Sequence, residues 1–176
     1  MAPTSGFPTT VPAFKIKAQL SGLLPVGDIH TGSNLTAVTF GGGSLKSVEG
    51  FTPKLDAKIV NGHDWFRVDN DKKHGRLSIS GIATDDEGRS LRVIAEGLIE
   101  LNEHTAPVLF GGPDAAGAAD MPFGFAVEYV KFEVGHEAYK ALDNALFAGS
   151  LRFGKSAEGL YAEIAVAKIV AGSGFE

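Results

Sequence analysis

The feature that most constrains this chain is a hydrophobic alternation of period two. It begins at Phe14 and continues to Val170, broken by short glycine-rich or acidic segments. Such alternation sends successive side chains to opposite faces of an extended strand, one face to a core and one to solvent, as in antiparallel sheet. Phe14, Ile16, Ala18 and Leu20 alternate with Lys15, Lys17 and Gln19, and residues 35–40, 55–60 and 65–69 read as further strands. Residues 69–75 turn the chain into a strand over 76–83, and the acidic run Asp85-Asp86-Glu87 before Gly88 turns it again into 90–101. Strands over 126–134, 146–153 and 160–170 complete the set, while 137–144 carries helical spacing in Ala138, Leu142 and Ala145. A chain of roughly nine or ten short strands removes its vulnerable edges best by closing. The expected fold is all-β, an antiparallel β-barrel with one short α-helix. Residues 13–171 form its single domain, preceded by a flexible arm over 1–12.

Size and charge narrow the function. At 176 residues the chain suits one core, and its 23 glycines serve many turns. A net charge of −5 opposes binding to a phosphate backbone, so nucleic acid is not an expected partner. The absence of cysteine excludes disulfides, thiolate nucleophiles and zinc–thiolate sites, and no apolar run is long enough to span a membrane as a helix. Without a basic, apolar leader the expected location is cytoplasmic.

Two motifs invite over-reading. Gly149 to Ser156 matches the G-x-x-x-x-G-K-S phosphate loop, but only 20 residues follow Ser156, too few for the helix and parallel strands that loop requires. A strand ending in a glycine turn is the expected form. The 5 histidines, His30, His63, His74, His104 and His136, show no metal-ligand spacing, and Asp69-Asn70-Asp71 departs from a calcium loop at Lys73 and His74. No metal or cofactor is expected.

Polar residues on the strands offer two readings. Arg92 and Glu96 share one face of the strand over 90–101, and Tyr129, Lys131 and Glu133 share one face of the strand over 126–134. Each set is either a solvated charge ladder or the lining of a cavity. His63-Asp64-Trp65 groups an imidazole, a carboxylate and the single tryptophan after Asn61-Gly62. It is either a ligand-contacting trio or a hairpin start with Trp65 in the core.

From Ala37 to Val170 the chain resembles the family catalogued as domain of unknown function 3237. The likeness rests on Gly41-Gly42-Gly43, Gly62-His63-Asp64-Trp65, Asp85-Asp86-Glu87-Gly88 before residues 91–97, Phe132-Glu133-Val134-Gly135, and Tyr139 to Leu142 leading into Phe147-Ala148-Gly149. Ser78, Ser80 and Gly81 stand where the family commonly has aspartate, arginine and tyrosine, and Asp143 stands where it has asparagine. The resemblance implies a compact β-barrel, lipocalin-like or allene-oxide-cyclase-like, without a cofactor, and some fungal relatives are implicated as natural-product cyclases. The resulting expectation is an acid/base isomerase or cyclase of secondary metabolism that closes a ring on a phenolic substrate inside the barrel. Asp64 is assigned as acid or base with Lys131 or Tyr129 opposite, and His63, Trp65, Arg92, Glu96 and Phe147 as substrate contacts. The alternative is a lipocalin-like carrier of an apolar or aromatic small molecule. A homo-oligomer remains open on either reading.

Overall fold

The computed structural model describes residues 6–111 and 120–173. Eight antiparallel strands close in sequence order into one barrel: β1 (Thr9–Asp28), β2 (Asn34–Ser47), β3 (Asp56–Val68), β4 (His74–Asp85), β5 (Ser90–Glu100), β6 (Ala126–Val134), β7 (Phe147–Ser156) and β8 (Gly159–Val170). β1 pairs with both β2 and β8, so the first and last strands seal the sheet. Helix α1 (Ala106–Phe110) follows β5, and a 3₁₀ turn (Glu137–Tyr139) leads into α2 (Lys140–Asp143) at the expected helical position. No helix among the described residues is long and apolar enough to cross a membrane.

The expected count of nine or ten strands is high because the expected strands over 55–60 and 65–69 fall, but for their outermost residues, within the single strand β3. Asn61-Gly62 does not turn the chain: Gly62 pairs with Phe40 on one side and with Gly81 on the other. A hydrogen-bonded neighbour on each side holds the backbone extended, and the surplus residue is absorbed as an irregularity in register between Ile59 and Asn61. The expected arm over 1–12 is also too long. Thr9 to Pro12 pair with Val170 to Ala167, whose ladder groups would otherwise lie open, and residues 1–5 are outside the described set. The long loop expected over 111–124 lies mostly outside it as well.

The barrel has a filled end and a hollow one. At the filled end Phe14 packs edge-on against Phe51 and Phe132 with ring centroids 4.9 and 5.2 Å apart, and Phe147 stands perpendicular to Phe132 at 5.2 Å. Edge-to-face pairs of this kind add about 0.5–1.5 kcal/mol each beyond their buried area. Leu142 and Tyr139, from α2 and the turn before it, are buried with them. The hollow end holds the second half of β3 and the first half of β6, with Leu109 and Phe110 of α1 beside it.

Candidate active site

A cavity of about 280 Å³ occupies the hollow end, walled by apolar side chains that include Ile16, Val38, Phe40, Ile79, Leu151 and Phe153. Leu23 and Phe110 also line it while remaining 52% and 55% exposed, so they mark its mouth. Two ionisable side chains enter this lining among the described residues, Asp64 from β3 and Glu128 from β6.

Asp64 faces inward because of the irregularity in β3. Ala57 and Ile59 are buried, Val60 and Asn61 are both exposed, and burial then resumes at Asp64 and Phe66. The two consecutive outward residues reverse the strand's parity. Asp64 Oδ1 accepts the Ser78 backbone N–H at 2.7 Å. Burial dominates its ionisation and pushes its pKa up to about 6, against the lowering effects of that hydrogen bond and of the Arg67 charge.

Glu128 needs no such device. β6 alternates without interruption, with Ala126, Glu128, Val130, Phe132 and Val134 buried. Its cross-strand partners are Gly97 on β5 and Gly149 on β7. A Cβ at Gly97 would lie 2.7 Å from Glu128 Cβ, and one at Gly149 would lie 3.0 Å from Glu128 Cγ. The two missing side chains are the space the glutamate occupies. Its Oε2 is buried without a hydrogen-bond partner among the described residues. Burial, and secondarily the Asp64 charge, raise its pKa to about 8. Near pH 7 the pair therefore holds a protonated Glu128 and a largely ionised Asp64, the two states that proton donation and acceptance require.

The remaining residues expected at the site lie elsewhere. Tyr129 and Lys131 share β6 with Glu128 but project from the opposite face, Tyr129 exposed and Lys131 3.8 Å from Glu133. Arg92 and Glu96 point outward on β5, where Arg92 donates to Glu133 and to Ser80 Oγ, both at 3.0 Å. This is the solvated ladder, not a lining. His63 and Trp65 lie on the outside of β3 with ring centroids 5.7 Å apart, and Trp65 is 43% exposed. Phe147 is fully buried, but in the filled end and outside the cavity lining. Of the expected set, only Asp64 enters the cavity. Glu128 is absent from the expected set because the opposite face of β6 carries three polar side chains and the stronger polar pattern; the telling signal is its own face, a single carboxylate among apolar residues.

The structure gives each of the two motifs a definite place. Gly149 to Ser156 are part of strand β7, with Leu151 and Phe153 in the barrel wall, so no phosphate-cradling loop forms. Asp69, Asp71 and His74 bring ligand atoms within 4.8 Å of one another in the β3–β4 turn. However, Asp69 is paired with Arg76 at 2.8 Å and Asp71 with His74 at 2.8 Å, so these groups already serve the turn.

The sequence model of the family described as "Protein of unknown function (DUF3237)" matches residues 8–169. A conserved protein of unknown function from Rhodopseudomonas palustris shares the fold with a TM-score of 0.75 and 21% identity, over 93% of this chain and 99% of that one. A beta-barrel like protein from Acinetobacter baumannii follows with a TM-score of 0.69 and 16% identity, over 96% and 99% of the two chains. An enzyme from Penicillium herquei has a TM-score of 0.58 and 15% identity, over 97% and 98%. No curated protein matches the chain.

Proposed function

The chain belongs to the DUF3237 family of proteins of unknown function, and we propose that this member is a cofactor-independent isomerase that closes a ring on an apolar phenolic substrate within the barrel. One observation carries the reading: the apolar cavity holds two carboxyl groups, both with raised pKa and on opposite sides of neutrality. Likeness of fold to a fungal enzyme supports catalysis on this scaffold but not its type.

The chemistry is a mass-neutral addition of a phenol hydroxyl to an alkene. Protonated Glu128 delivers its proton to one alkene carbon, and the π pair forms the new C–H bond. The phenol oxygen lone pair closes on the cationic carbon, and Asp64 accepts the hydroxyl proton. Glu128 is then ionised and Asp64 protonated, and a proton passing from Asp64 to Glu128 restores the resting state. The apolar wall favours the step by keeping water from the cationic carbon. The Asp64 carboxylate stabilises the positive charge as it develops.

The test is incubation of the purified protein with a prenylated phenol in D₂O. The expected product has one deuterium on carbon and is otherwise of unchanged composition. Turnover should fall about 10²- to 10⁴-fold in Glu128→Gln and in Asp64→Asn, while substrate still binds. Activity should rise and fall around two macroscopic pKa values near 6 and 8 that belong to the coupled pair. Binding without any product, from wild type as from both variants, would identify a carrier and end the catalytic reading.

A further inference from the structure

We propose that the cavity selects its ligands by charge, taking up a bulky apolar amine as its ammonium ion and excluding the carboxylate of the same shape. This rests on the same cavity as the reading above but requires none of its chemistry. The described lining contains two carboxyl groups and no lysine, arginine or histidine. An anionic ligand head would meet like charge and find no cation to answer it. An ammonium group carries several donors and a charge, and it meets the one side-chain oxygen in the protein's described core that lacks a donor, Glu128 Oε2.

The surroundings of Glu128 leave that role to the ligand. β5 presents Gly97, β7 presents Gly149 and β8 presents Ile164, none of which can donate from a side chain. β3 contributes Asp64, a second acceptor whose Oδ1 is already occupied by the Ser78 N–H. Arg67, the cation that acts on Asp64, is exposed on the outside of β3 and separated from the cavity by the strand itself. A protonated Glu128 can satisfy the site only by keeping a proton. A bound ammonium replaces that proton and lets both carboxylates ionise, a charge-assisted arrangement of the stronger kind.

Uptake of the cation is therefore linked to release of a proton. Between pH 6 and 8 the affinity for an amine should climb by up to roughly tenfold per pH unit, since Glu128 must ionise as the amine enters. A neutral alcohol of the same shape releases no proton, and its affinity should stay nearly constant.

Three cage compounds of matched shape make the test: adamantan-1-amine, adamantan-1-ol and adamantane-1-carboxylate, titrated calorimetrically into the full chain at pH 6 and pH 8. At pH 8 the amine should bind at least tenfold more tightly than the alcohol, and the carboxylate should give no measurable heat. At pH 6 the amine should lose about tenfold or more. Glu128→Gln should abolish the pH dependence and reduce the amine's advantage at least tenfold while leaving the alcohol unchanged, with circular dichroism confirming the fold. Carboxylate binding as tight as that of the amine, or amine binding indifferent to both pH and Glu128→Gln, would overturn the proposal. Cyclisation measured in parallel separates the two readings. Amine preference without turnover sinks the isomerase alone, and turnover without amine preference sinks the charge selection alone.

Discussion

Both ends of the barrel bury carboxyl groups, and Asp85 at one end is treated in the opposite way from Glu128 at the other. At the filled end Asp85 receives the Tyr139 hydroxyl, the Arg89 guanidinium at 2.6 Å, and the backbone N–H groups of Glu87 and Arg89 at 2.9 Å each. Burial alone would raise its pKa, but this complete set of donors holds it well below the usual carboxylate range. At the hollow end Glu128 is also buried, yet among the described residues its Oε2 receives no donor, and its pKa moves the other way. The first carboxylate is spent on structure, because every lone pair it has ties β4 to the turn after it or to Tyr139 of the 3₁₀ turn packed beneath. The second is left without a donor at a cost to stability, as the proposed ligand site requires.

That contrast can be broken most forcefully at Asp85. Asp85→Ala strips Arg89 and Tyr139 of their partner, and Tm should drop by on the order of 10 °C while cavity ligands bind as before. A loss of ligand binding in a still-folded Asp85→Ala protein would show that the two ends are not independent.

The next effect is smaller and has the reverse sign. Glu128 has a folded-state pKa raised from 4.5 to about 8, so the folded state holds more protons than the unfolded chain between those values. Its contribution to stability therefore declines as pH rises through that window, and Asp64 adds to the decline between 3.8 and about 6. Glu128→Gln should accordingly raise Tm by roughly 5 °C at pH 9 and change it little at pH 4. A variant equally destabilised at both pH values would mean that the carboxylate is satisfied after all.

The smallest effects sharpen the comparison from outside the barrel. Trp65→Ala and Lys131→Met alter side chains on the outer surface, so each should shift stability by no more than about 0.5 kcal/mol and leave turnover within about twofold of wild type. Turnover reduced tenfold by either would return the site to the outer face of β3 or β6.

Much of this architecture was legible in advance. Period-two patterning and glycine or acidic turns identified the strands, and an uninterrupted strand such as β6 states both of its faces outright. Ala126, Glu128, Val130, Phe132 and Val134 are one face in the sequence and one face in the barrel. The helical turn near Glu137 was equally visible, from local spacing alone. The candidate site was legible only in part. Polar residues clustered along a strand look like a functional face, whereas a barrel puts such clusters in water and keeps the isolated carboxylate.

Alternation within each strand was thus determined by the sequence, since it is a property of neighbouring residues and the pleat enforces it. Which face of β3 turns inward was decided by the tertiary structure alone. From Ala57 and Ile59 a strict alternation would carry Trp65 into the barrel and leave Asp64 in solvent. Pairing of Gly62 with Phe40 and Gly81 at once holds Asn61-Gly62 extended and leaves Val60 and Asn61 both outside, which reverses the count. That choice depends on two neighbouring strands being in register, and strand register is a long-range condition that no local window of residues contains.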